Sequence, residues 1–159
     1  MLEVSPLKQQ ESIPQFTTRD SEGNPVSREM LLGTKFLLFF YPRDSTPGCT
    51  VEACGFRDNY KFFQKKDIQI FGISGDSIHS HEKFKRKYGF PFPLLLDENN
   101  QIAKDFGVWG KKQFMGRVFE GIHRTSFLIN ENGTIEKTYL KVKVKTHPSD
   151  LVDELNLNG

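Results

Sequence analysis

The reactive side chains of this sequence are concentrated in the stretch FYPRDSTPGCTVEACGF, residues 40–56, which holds both cysteines of the chain, Cys49 and Cys54. Thr46-Pro47 is a helix-start signal. Threonine suits the N-cap, and proline suits the first helical position, where no backbone N–H is needed. Cys49 then falls in the first turn, where unpaired N–H groups and the positive end of the helix dipole converge. Such surroundings favour a thiolate over a thiol, and the thiolate is the nucleophilic form. Gly48 has no side chain and is read as leaving the sulfur open. The alternative, an inert buried cysteine, fits a strand-to-helix junction less well.

The two cysteines are five residues apart. On an α-helix that step turns through about 500° and rises about 7.5 Å, so the Cα atoms lie roughly 8–9 Å from one another. A disulfide needs a Cα separation of about 4.4–6.8 Å. Cys49 and Cys54 therefore cannot bond while the helix is intact. If they react, its first turns must unwind, and Gly55, a poor helix former, makes that easier. The spacing is not the C-x-x-C of a dithiol redox motif. Zinc held by Cys49, Cys54, His79 and His81 is a further alternative, but two cysteines so placed on one helix make poor tetrahedral geometry. A phosphatase loop needs an arginine six residues after its nucleophile, where this chain has Gly55. His79 and His81 read instead as lying at a solvated helix start.

Around this stretch the sequence predicts alternating strands and helices. Residues 13–18 and 25–28 flank the turn-rich DSEGN and suggest a short hairpin. KFLLFFY at 35–41 is a continuous apolar run, the mark of a strand buried on both faces, and Pro42 should end it. Residues 47–65 read as a helix and 68–74 as a second buried strand. Residues 77–88 read as a charged helix closed by Gly89, 90–97 as a short strand and 98–106 as a short helix. Residues 110–123 are polar, contain glycine and read as a loop. RTSFLIN at 124–130 and TIEKTYLKV at 134–142 read as strands joined by ENG. Residues 147–156 make a last helix capped by Ser149 or Asp150. The order gives an α/β fold, a mixed sheet flanked by helices. It resembles the thioredoxin fold with an N-terminal hairpin added.

The totals constrain the rest. The chain has 159 residues, which suggests a single domain over 1–159. Its 15 phenylalanines point to an aromatic core. The formal net charge is +2, so nothing global attracts nucleic acid or a membrane surface. The lysines and arginine at 83–87 suggest a solvated helix face, and Lys141, Lys143 and Lys145 would share one face of an edge strand. The opening residues lack the basic and apolar regions of a secretory leader, and no apolar run nears the ~18 residues of a spanning helix. A reducing, cytoplasmic setting follows as the expectation, where a close cysteine pair is more often catalytic or metal-binding than structural.

PRDSTPGC, Pro42 to Cys49, matches P-x-x-x-T-x-x-C, the active-site motif of the peroxiredoxins. With the second cysteine five residues on, the string resembles the peroxiredoxin Q group, also called bacterioferritin comigratory protein. The likeness continues at YGFPFPLLLDEN and at GVWGKKQFMGRVFEGIHRTSFLI. The resemblance implies a thiol-dependent peroxidase with no cofactor and no metal. Cys49 would attack a hydroperoxide and become sulfenic acid. Cys54 would resolve it as an intramolecular disulfide, reduced in turn by thioredoxin or glutaredoxin. Thr46 would hydrogen-bond thiolate and peroxide, Pro42 would shield the sulfur, and Arg124 would be the active-site arginine. A monomer is implied as well. Arg43, Asp44, Glu52, Arg57 and Asp58 read as solvated or structural ions, with Glu52 able to assist locally. Other readings are a disulfide reductase or isomerase on the same fold, or a redox-sensing module. The missing C-x-x-C weakens the first, and fast turnover of peroxide would exclude the second.

Overall fold

The computed structural model describes residues 4–157. The first three residues, part of the stretch read as lacking a leader, lie outside that range. A short antiparallel hairpin comes first, β1 (Thr17–Arg19) and β2 (Pro25–Ser27), followed by a one-turn helix, α1 (Arg28–Leu31). The central sheet has the order β5-β4-β3-β8-β9: β3 (Lys35–Phe40), β4 (Ile68–Ser74), β5 (Leu94–Leu96), β8 (Thr125–Ile129) and β9 (Ile135–Tyr139). β3, β4 and β5 are mutually parallel, while β8 and β9 run antiparallel to their neighbours. The helices are α2 (Pro47–Asp58), α3 (Tyr60–Lys65), α4 (Ile78–Tyr88), α5 (Gln101–Asp105) and α6 (His147–Leu157).

The continuous apolar runs are explained by cover on both faces. Alternate residues of β3 sort cleanly. Phe36, Leu38 and Phe40 join Phe71, Phe106 and Phe127 on one side of the sheet. Leu37 and Phe39 face the other side, with Phe56 of α2, Phe63 of α3, Phe84 of α4 and Leu151 of α6. Cys49 belongs to this second cluster, so the reactive helix is seated on the aromatic core. α4 starts at Ser77, whose hydroxyl accepts from Ser80 N, and ends at Gly89 in the left-handed conformation, as its sequence requires.

Four expectations need correction. The helix read over 47–65 breaks at Asn59 (φ −104°, ψ 10°), which leaves the helical region there; its side-chain amide donates at 2.8 Å to Gly55 O, the carbonyl that also accepts from its backbone N–H at 3.2 Å. Residues 110–123 are not a loop. They form a hairpin, β6 (Trp109–Phe114) and β7 (Arg117–Ile122), turned by Met115 (φ 52°) and Gly116 (φ 79°). Two consecutive positive φ angles make the tight turn that suits the twist of paired strands. The last strand stops at Tyr139, and Lys141 has φ 52°, so Lys141, Lys143 and Lys145 do not line one strand face. His81 is buried rather than solvated, at 0% exposure, and Asp44, at 6%, fits the structural rather than the solvated of its two readings. Among the described residues no helix is long and apolar enough to cross a membrane.

Candidate active site

β3 delivers the chain to the site, and residues 41–46 carry it across to the start of α2. Thr46 occupies the N-cap with extended backbone (φ −79°, ψ 154°), and Pro47 opens the helix. The Thr46 hydroxyl does not cap the helix; it donates to Arg43 O at 2.9 Å. Its single proton is thereby used, which leaves its lone pairs free to accept. Cys49 sits in the first turn and is 1% exposed. Gly48 therefore does not open the sulfur to solvent as expected. Gly48 lies beside the guanidinium instead: a Cβ there would stand 3.4 Å from Arg124 Nη2, in ordinary van der Waals contact.

Arg124 immediately precedes β8, and the antiparallel pairing of β8 with β3 brings it alongside the α2 N-terminus. Its Nη2 donates to Cys49 Sγ at 3.3 Å, and its Nη1 donates to Glu52 Oε1 at 2.7 Å. Burial works against the guanidinium charge, but Glu52 and Cys49 outweigh it and hold the group above its ordinary value. Arg124 thus stays cationic against the sulfur. Glu52 is one turn beyond Cys49 on the same helical face and is fully buried. Burial pushes its carboxyl up to about 7, with Arg124 pulling the other way. Its Oε2 has no hydrogen-bond partner among the described residues. Glu52 is therefore no solvated ion, and the local role anticipated for it has a geometric basis.

A second cation approaches from the hairpin. Lys112 Nζ donates to Ile122 O at 2.8 Å, and its stem crosses Gly121, where an added Cβ would meet Lys112 Cδ at 3.1 Å. Burial and then the Arg124 charge lower the Lys112 ammonium below its ordinary value, while Cys49 raises it. Sequence reading missed Lys112 because it lay in a presumed loop.

Cys54 is half-buried on the same intact helix, and both cysteines are free. Burial pushes its thiol up, with Arg57 lowering and Asp58 raising it. Gly55 beside it fits against α6: a Cβ there would lie 2.7 Å from Pro148 Cγ. Pro42 is half-buried and Thr46 likewise, both on the segment leading into α2. The zinc set weighed as an alternative, Cys49, Cys54, His79 and His81, is not brought together among the described residues. His79 is exposed, and His81 is engaged with Asp44 and Leu95. Among the described residues, the group with metal-binding potential is Asp44, Asp76 and His81, without a cysteine.

A cysteine at a helix N-terminus, an arginine on its sulfur and a second cysteine on the same helix, all on a mixed five-stranded sheet, define a thiol-based redox enzyme. The AhpC/TSA family pattern matches residues 10–138, and the chain belongs to that family. It is 45% identical over 142 residues to a putative peroxiredoxin bcp of Coxiella burnetii, covering 89% of this chain and 94% of that one. It is 42% identical over 144 residues to the peroxiredoxin Bcp of Escherichia coli K12, covering 91% and 92%. A mutant of peroxiredoxin Q from Xanthomonas campestris superposes with a TM-score of 0.84 at 33% identity, covering 91% and 92% of the two chains. A structure of the bacterioferritin comigratory protein of the same organism, described for its alkyl peroxide reduction, also gives 0.84, at 33% identity over 90% and 91%. The fold is the thioredoxin-like fold of these peroxiredoxins, and the chain is a thiol-dependent peroxidase. Its substrates are peroxides, and a thiol reductant restores it.

Proposed function

We propose that Cys49 is the nucleophile and Cys54 the resolving thiol of a peroxidase recycled by thioredoxin, or by glutaredoxin. The observation that carries this reading is the 3.3 Å contact from Arg124 Nη2 to Cys49 Sγ at the N-terminus of α2. The Cys49 thiolate attacks the terminal oxygen of a hydroperoxide. The O–O bond breaks, sulfur takes the hydroxyl as sulfenic acid, and the alkoxide or hydroxide leaves and is protonated. Arg124 stabilises the attacking thiolate and the charge developing on the oxygens. Thr46 accepts a hydrogen bond from the incoming peroxide, and Pro42 limits the access of water.

Cys54 then attacks the sulfenic sulfur, water departs and a disulfide forms. On the intact helix the Cα atoms are too far apart, roughly 8–9 Å by helix geometry. Residues 46–56 must therefore unwind. That movement breaks the Arg124 contacts and exposes the disulfide to a dithiol reductant, as exchange requires. Both thiols lie on one helix of one chain, which supports a monomer as the working unit; a cytoplasmic setting fits the need for a dithiol reductant.

The test uses hydrogen peroxide and organic hydroperoxides with thioredoxin and its reductase. Cys49→Ser should abolish peroxide consumption, and retained activity would remove Cys49 from its role. Cys54→Ser should be oxidised once and then stall. If wild-type protein oxidises only to a covalent dimer, the intramolecular scheme is wrong.

A further inference from the structure

Behind the segment that carries Pro42 and Thr46 lies a buried polar cluster that peroxide chemistry does not itself require. Asp44 stands at the centre of this segment. Its Oδ1 accepts from Tyr41 Oη at 2.6 Å, and its Oδ2 accepts from Ser80 Oγ at 2.8 Å and lies 2.6 Å from His81 Nδ1. Its backbone N–H donates to Asp76 Oδ2 at 2.8 Å, an oxygen that also accepts from Ser74 Oγ at 2.6 Å. His81, completely buried in the first half of α4, has its other nitrogen, Nε2, 2.8 Å from Leu95 O.

The proton count follows from the partners. A carbonyl oxygen only accepts, so Nε2 carries a hydrogen, and a second proton lies between Nδ1 and the Asp44 carboxyl. Burial first, and then the Asp44 charge, hold the Tyr41 phenol well above its ordinary value, so it remains a donor. The end of β3, helix α4 and, through His81, strand β5 are thereby tied to the Asp44 carboxyl, and the end of β4 is tied through Asp76 to the Asp44 backbone N–H.

The residues next to Asp44 need such a tie. Ser45 has φ 64°, the left-handed region that a side chain disfavours. Thr46 follows directly, and its hydroxyl is oriented by Arg43 O, the carbonyl on the other side of Asp44. Released from its partners, Asp44 would let Ser45 relax, and the Thr46 hydroxyl and Pro42 would move with it.

We propose that Asp44 and His81 form a positioning pair for peroxide capture, holding the 42–46 segment so that the Thr46 hydroxyl faces the oxygens at Cys49. The inference rests on the reading of Cys49 as nucleophile and Thr46 as peroxide contact. It assigns the pair to the orientation of substrate, not to the reactivity of the sulfur, which Arg124 and the helix end govern.

Two rates on the reduced protein separate those roles: oxidation of Cys49 by hydrogen peroxide, and its alkylation by iodoacetamide, which needs the thiolate but no oriented hydroperoxide. Both are measured in a Cys54→Ser background so that Cys49 alone reacts, with the single variant Cys49→Ser, which keeps Cys54, as control. Peroxide oxidation surviving in that control would overturn the underlying reading and is distinguishable from every result at Asp44. Asp44→Ala should slow peroxide oxidation by about tenfold or more, the scale expected when a positioning contact is misplaced, and leave alkylation within about twofold. Asp44→Asn, whose amide can donate to a singly protonated His81 and still accept from Tyr41, should recover most of the loss. If Asp44→Ala does not fold, Tyr41→Phe and Ser80→Ala each remove one donor and should show smaller shifts of the same ratio. Unchanged peroxide rates in the folded variants, or peroxide and alkylation rates falling together, would overturn the proposal.

Discussion

Glu52→Gln isolates one buried charge and gives a signed prediction. Burial raises the Glu52 carboxyl from 4.5 to about 7 in the folded protein. A raised folded value means that the proton is bound more tightly in the native state. The stability it contributes is complete below the unfolded value and is lost as pH rises through about 7. The difference of two to three pH units corresponds to about 3 kcal/mol, at about 1.4 kcal/mol per unit. Glu52 is fully buried, so solvent screening does not reduce this figure. Glutamine keeps an oxygen to accept from Arg124 Nη1 but cannot ionise. Urea unfolding of both reduced proteins, followed from about pH 4 to about pH 8, therefore has a defined outcome. The variant should gain about 3 kcal/mol on the wild type between the two ends of that range, with most of the change between about 4.5 and about 7. A difference that stays flat with pH would refute the argument, because it would mean that Glu52 titrates alike in the folded and unfolded chain.

Two further outcomes follow from the same geometry. Arg124→Met removes the donor from Cys49 Sγ and leaves Glu52 buried without its cation. Oxidation of Cys49 in stopped-flow mixing with peroxide should slow by about 10²–10³, the scale of losing one oriented donor, and a rate near wild type would contradict the role given to Arg124. Gly55→Ala places a Cβ 2.7 Å from Pro148 Cγ and should destabilise the protein in urea titration by about 1–3 kcal/mol despite the better helix propensity of alanine. Adding Pro148→Ala should recover most of that loss, and strictly additive effects would show that the two residues do not press on each other.

The parts of the fold visible in the sequence were those whose burial is complete. The run KFLLFF can be satisfied only by cover on both faces, and Thr46-Pro47 and Gly89 mark their helix ends by backbone chemistry alone. The hairpin over 109–122 escaped because most of its side chains lie in solvent, so no apolar alternation records its pleat. Its turn uses Met115 where asparagine is the usual signal. Cys49 and Cys54 were legible from local rules, whereas Arg124 was legible only through the family motif. Its approach to the sulfur depends on β8 pairing with β3, a contact between residues 75 positions apart. Glu52 and His81 could have been found. Glu52 is three residues after Cys49 and His81 three before Phe84, each on the buried stripe of its helix. Their polarity hid a periodicity that an apolar residue would have displayed.

Helix α2 is held to the sheet by Phe56, which stacks on Phe39 at 4.8 Å, and to α6 by the close fit of Gly55 on Pro148. With Cys54 as the resolving thiol, every catalytic cycle includes a small unfolding event. The free energy that keeps the helix wound then enters the rate law. Each additional 1.4 kcal/mol or so of local stability makes the open form about tenfold scarcer, and disulfide formation correspondingly slower when opening limits it. Robustness and speed thus draw on the same few contacts, and selection on turnover would act to keep this one helix less stable than the sheet beneath it.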